Sequence, residues 1–250
     1  MPEHVRAIVA AVAALLSPFV PLGAAAQAVL PPAEYRALVA DANGADQGRA
    51  PGRYTLGGAS LSLLDFPQAT AIGRADGGVL GAGFEGAISY WFTVDGPTSV
   101  FDVVPLWVSF ALQARVTGGG PANASAAFSL GFAHSGDFQT SVGADLAHPD
   151  PADLIETRAF GLQAGQRASI SLGVAGASFA GSTAYALADP YIFIDPTFLA
   201  SHAGYSVRVS SGVGNEMPVT PVTPVPEPGT WALMLAGIGI LGTIARRRPR

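Results

Sequence analysis

The chain has 250 residues, 13 basic against 18 acidic, with 12% charged residues and no cysteine, and every basic residue is an arginine. Apart from an arginine cluster at the C-terminal end the chain is acidic, with a formal net charge of −5, which argues against an electrostatic nucleic-acid binder. The lack of cysteine excludes a disulfide framework and any thiolate chemistry.

Residues 1–26 have the layout of a secretory signal peptide. His4 and Arg6 form a short polar start, residues 7–22 an apolar helix-length run, and Gly23, Ala24, Ala25 and Ala26 a small-residue cleavage site. Cleavage is expected after Ala26, with Ala28 the second choice. Residues 27–52 read as a lead-in. Pro31 and Pro32 precede residues 33–40, which predict two helical turns with Tyr35, Leu38 and Val39 on one side. Residues 41–52 are small, polar and Gly-rich and predict a loop.

From residue 53 to 213 the pattern turns to period two, broken by Gly, Pro and Asp, as in a series of short antiparallel strands. Over residues 88–94 the inward set is Ile88, Tyr90, Phe92 and Val94, stopped by Asp95, Gly96 and Pro97. Residues 106–117 alternate most cleanly, with Leu106, Val108, Phe110, Leu112, Ala114 and Val116 inward. Phe128, Leu130 and Phe132 share a face, as do Ala168, Ile170, Leu172 and Val174. Residues 191–194 form a short apolar run expected to be bounded by Asp189-Pro190 and Asp195-Pro196, and Tyr205, Val207 and Val209 close the series. No long segment has helical spacing, and strands do not alternate with helices. The expected fold is therefore all-β: a two-sheet antiparallel β-sandwich of jelly-roll type, with eight to ten strands.

Candidate chemistry in this region is sparse. His134, His148 and His202 stand apart and form no zinc spacing. Asp150 and Asp153 in one loop, and Asp189 and Asp195 flanking the 191–194 run, are oxygen donors of the kind calcium takes. Turn chemistry accounts for the same residues, since Asp before Pro starts turns. Calcium is thus a candidate, and no other cofactor is indicated. Neither a nucleophile elbow nor a phosphate loop is present in a form its chemistry needs, and a non-enzymatic role is expected. Trp91 and Trp107 fall opposite the apolar sets of their strands, where an indole can stack on a sugar ring.

Residues 214–224 carry Pro218, Pro221 and Pro224 between Val and Thr and predict an extended, semi-rigid spacer. Residues 225–250 follow as a turn, an apolar run and an arginine cluster. Pro226 and Pro228 bar a helix from passing through the turn. Residues 231–245 carry no charge and predict a transmembrane helix of about 22 Å, short for a bilayer core of about 30 Å. Trp231 is placed to anchor one interface, and Arg246, Arg247 and Arg248 to reach the headgroups at the other.

This last run, in Val225, Pro226, Glu227, Pro228, the Trp231-Ala232-Leu233 start and the Arg246, Arg247 and Arg248 cluster, resembles the PEP-CTERM sorting signal of Gram-negative bacteria. The resemblance implies export, transient tethering in the inner membrane, and processing at or near the PEP motif by an exosortase. It implies a final place on the cell surface or in the matrix, in bacteria that make exopolysaccharide. Export through the Sec machinery follows from the leader. Without residues 1–26 and the tail from Glu227, sixteen acidic and eight basic residues remain, a formal charge of −8. The expected function is a surface or matrix β-sandwich protein sorted by this signal and associated with exopolysaccharide. The alternatives are a carbohydrate-binding module or carbohydrate-active enzyme and, further off, an ice-binding protein.

Overall fold

The alternation over residues 106–117 becomes a long strand second from one edge of its sheet, and the inward set named above is buried throughout. A computed structural model describes residues 29–97, 103–132 and 137–216. The chain divides into two units, Met1–Glu216 and Met217–Arg250. The expected signal helix over residues 1–26, the proline spacer from residue 217 and the expected transmembrane helix over 231–245 lie outside the described residues.

The strands are β1 (Glu34–Asp41), β2 (Gly44–Gly48), β3 (Gly52–Leu56), β4 (Ala59–Leu64), β5 (Thr70–Asp76), β6 (Ala82–Asp95) and β7 (Val103–Thr117). They continue with β8 (Ala122–Phe132), β9 (Phe138–Asp145), β10 (Ala152–Gln163), β11 (Arg167–Ser178), β12 (Thr183–Ile194) and β13 (Ser206–Val209). A single-turn helix, α1 (Pro196–Ser201), stands between β12 and β13. One sheet runs β2-β1-β6-β11-β8-β9, the other β10-β7-β12-β5-β4-β3, and every pairing between strands is antiparallel. Taken from the ends inward, β5 pairs β12, β6 pairs β11, β7 pairs β10 and β8 pairs β9, alternately in the two sheets. The central eight strands are thus one long antiparallel ribbon wound into two layers. β3 and β4 extend the second sheet. β1 and β13 lie end to end along one edge of β6 and extend the first.

The core lies between the sheets. Leu61, Leu63, Leu106, Phe110 and Ile192 enter it from one side, and Ile88, Phe92, Phe128, Ile170 and Leu172 from the other, all nearly inaccessible to solvent. Phe110 of β7 stacks on Phe128 of β8 across the layers, with centroids 4.6 Å apart and planes 10° apart. Phe138 tilts against both, and Phe160 and Phe132 continue the aromatic set. Arg158 closes it with its guanidinium carbon 4.4 Å from the Phe138 centroid.

Three expectations are corrected. The helix expected over residues 33–40 is β1. Its buried residues are Tyr35, Ala37 and Val39, a period of two, where Tyr35, Leu38 and Val39 had been grouped on a helical face. A lone two-turn helix is marginal in water, whereas the edge of β6 offers eight paired positions to this segment. The loop expected over residues 41–52 contains β2, which pairs back on β1 and makes the lead-in part of the sandwich. Asp189-Pro190 does not end a strand, because β12 runs through it. The Ile192 N–H points away from β7, to the Asn215 side chain. Pro190 has the same parity, so its missing N–H falls on that side, beyond the last β5 pair at Ala188.

The domain's C-terminal end is fastened at the same place. Asn215 accepts the Ile192 N–H at 3.0 Å and donates its amide to the Ile192 carbonyl at 2.7 Å, standing in for a strand. Gly214 N–H bonds to the Asp65 carbonyl and Glu216 N–H to that of Pro67. A Cβ at Gly214 would run into the Pro67 carbonyl, so this approach needs glycine.

Candidate functional site

The outer face of the β10-β7-β12 sheet carries the most organised group of outward side chains. Two successive rows cross the three strands. Ala159, Trp107 and Phe193 form one, and Thr157, Ser109 and Tyr191 the next. Their parity is opposite to that of the buried Leu106, Val108, Ile192 and Ile194, so they stand on the outside of the layer, with Trp107, Ser109, Tyr191 and Phe193 half-buried and Thr157 and Ala159 exposed. Tyr191 and Phe193 stack, with centroids 5.4 Å apart and planes 20° apart. Trp107 is the direct cross-strand neighbour of Phe193. The result is a strip of three outward aromatic side chains, two of them stacked and the third at the neighbouring cross-strand position. Hydroxyls flank it, with Thr157 Oγ1 donating to Ser109 Oγ at 3.1 Å.

Asp195 fixes one end of the strip. It caps α1, its Oδ1 accepting the Thr197 N–H at 2.7 Å, and Pro196 takes the first helical position, where a proline's missing N–H is no loss. Asp195 also accepts a hydrogen bond from Trp107. The Thr197 backbone N–H and then that Trp107 bond hold its carboxyl below the ordinary aspartate value, so it stays ionised. Asp189 lies at the other end, in the row after Tyr191. Gln68 Nε2 and Thr70 Oγ1 donate to it. Burial pushes its carboxyl up, against the two hydrogen bonds that lower it. Two carboxyls with opposite shifts invite an acid–base reading. Distance rules it out, because six residues of extended strand separate them by about 20 Å, whereas glycosidase pairs stand about 5–9.5 Å apart.

The other residues singled out in the sequence are scattered. Trp91 is exposed (38%), but it stands on the outer face of the opposite sheet, in β6 beside Ser210. It shares no site with Trp107. Asp153 forms an ion pair with Arg115 at 3.0 Å, and Asp150 lies in the exposed loop before β10. The four carboxylates offered as calcium ligands are therefore not brought together. Among the described residues no group of three or more metal-ligating side chains forms. His148 contacts Asp145, and His202 stacks on Phe198 within α1 and its cap. His134 lies outside the described residues, as do Val225, Pro226, Glu227, Pro228, Trp231, Arg246, Arg247 and Arg248. No helix among the described residues is long and apolar enough to cross a membrane.

Sequence reasoning found Trp107 and missed Tyr191 and Phe193. The signal was present. Ile192 and Ile194 take one parity of the 191–194 run, which leaves the two aromatics the other.

Fold and strip together define a two-sheet antiparallel β-domain with an outward aromatic surface. The tail identifies the kind of protein that bears it. Residues 224–248 match the PEP-CTERM protein-sorting motif, so the chain carries that sorting signal. No curated protein matches the chain. Among solved structures it is similar to TmCBM61 in complex with beta-1,4-galactotriose, at 13% identity over 64% of this chain and 88% of that one, with a TM-score of 0.24. It is also similar to the enzymatically active domain of bacteriophage CBA120 tailspike protein 4, at 13% identity over 62% of this chain and 19% of that one, with a TM-score of 0.18.

Proposed function

We propose that this chain is an exported, non-enzymatic protein of jelly-roll type that holds polysaccharide at the cell surface or in the matrix. The leader takes it across the inner membrane of a Gram-negative cell. The tail holds it there through residues 231–245 until an exosortase acts at the PEP motif. The sorting signal supports the address, and the strip of Trp107, Phe193 and Tyr191 supports the ligand. Aromatic faces bury the apolar C–H faces of sugar rings, and the flanking hydroxyls and the Asp195 carboxylate supply acceptors for sugar hydroxyls. Binding is favoured over hydrolysis because the nearby carboxylates are engaged with their own partners and stand too far apart to act on one bond.

The test is a glycan array probed with the purified exported protein and its Trp107→Ala and Tyr191→Ala variants. The wild type is expected to bind a defined set of neutral glycans. Each variant should lose about tenfold in affinity, the equivalent of about 1.4 kcal/mol, with an unchanged β-sheet circular dichroism spectrum. Binding that survives both substitutions contradicts the assignment, as does a wild type that binds no glycan.

A further inference from the structure

The outer face of the opposite sheet holds a groove that the aromatic strip does not use. It is an open depression of about 510 Å³ between β2, β1 and β6. Arg36 of β1 lies opposite Ala87 of β6, and Leu38 lies between Glu85 and Gln47. The last β1–β2 pair is Ala37 with Gly48, so the chain carries Arg49 on toward the side of Arg36. Both arginines line the groove.

Four of the eight arginines between residues 27 and 226 are tied down: Arg74 to Asp76, Arg115 to Asp153, Arg158 to Glu156 and Arg208 to Asp95. Arg36 and Arg49 have no ion pair or hydrogen bond among the described residues. Arg53 and Arg167 are likewise unpaired among the described residues, but of these four only Arg36 and Arg49 line the groove together. A guanidinium is a planar fork that matches a carboxylate at two points. Glu85 lines the same groove. It disfavours a densely charged polyanion and accepts hydrogen bonds from hydroxyls. Gln47 adds an amide, and Leu38, Gly48 and Ala87 add a small apolar floor. That set fits a ligand with carboxylates spaced among hydroxyls and flat C–H faces.

We propose that this groove binds a uronate-bearing sugar chain, with Arg36 and Arg49 on its carboxylates and Glu85 and Gln47 on its hydroxyls. The proposal stands apart from the aromatic strip, which lies on the other sheet, and the two fail separately. The experiment is a calorimetric titration of the exported protein with tetragalacturonate, tetramannuronate, a neutral galactotetraose and a tetraglutamate peptide. Binding of at least one uronate tetramer is expected, weakening as salt rises. Arg36→Gln and Arg49→Gln should each weaken it about tenfold, and Trp107→Ala should leave it unchanged. A wild type that binds neither uronate overturns the proposal. So does uronate affinity untouched by both arginine substitutions, or equal affinity for the tetraglutamate peptide.

Discussion

Phe128→Ala tests whether the two sheets face each other across one core. Phe128 is 1% exposed and stacks on Phe110 of the opposing layer at 4.6 Å. A buried phenylalanine removes about 200 Å² from water, which at about 25 cal/mol/Å² is about 5 kcal/mol. Measured Phe→Ala costs in cores are about 3–5 kcal/mol, a large share of a domain's ~5–15 kcal/mol. The stack adds a term that only a pair can reveal. In a double-mutant cycle with Phe110→Ala the two rings should couple by about 1 kcal/mol. Phe128→Leu, which keeps apolar volume and loses the ring, should cost less than Phe128→Ala. Urea titration followed by tryptophan fluorescence reads all five proteins: the wild type, the two single alanine variants, their double mutant and Phe128→Leu. The reasoning is refuted if the alanine costs add to within about 0.3 kcal/mol, the behaviour of distant sites, or if Phe128→Ala alone costs under about 1 kcal/mol.

Two further predictions follow from the polar groups. The carboxyls of Asp76, held down chiefly by Arg74, and of Asp145 and Asp195, held down chiefly by backbone N–H groups, contribute stability above the ordinary value of 3.8 that is lost as pH falls through their lowered values. Asp189 acts in the opposite sense. Burial raises it above 3.8, so its contribution is present at low pH and lost as pH rises through the raised value. Asp189→Asn should therefore gain on the wild type between pH 3.5 and 7, as read by urea stability at the two pH values. A constant difference, or one of opposite sign, contradicts the burial argument. Asn215→Ala removes both side-chain bonds to the Ile192 backbone and should cost about 1–3 kcal/mol. Hydrogen exchange should show faster exchange at the Ile192 amide; unchanged protection there would contradict the strand-like role of Asn215.

What the sequence disclosed and what it withheld have physical causes. Strands buried on one face show their parity, and the inward sets of β6, β7, β8 and β11 are read directly from residues such as Ile88, Phe110, Phe128 and Ile170. β1 was misread because its eight residues are too few to separate a period of two from one of 3.6, and Ala counts toward either. β12 was cut short because Asp189-Pro190 is a strong turn signal. Only the tertiary structure reveals that Pro190 turns its missing N–H to an unpaired side. The aromatic strip was half legible for a similar reason. A single residue shows its parity within a strand, but the register between β7 and β12 that sets Trp107 beside Phe193 is not written in either strand alone. The arginine groove was not legible at all, because it depends on β1 and β2 being strands.

The central claim, that this domain is exported and sorted through its tail, is tested most directly by the intact mass of the mature protein recovered outside the inner membrane. The mature chain is expected to begin at Gln27 or Val29 and to end at or near Pro226–Pro228, with nothing from residues 231–250. A mature chain that still ends in Arg250 would contradict it.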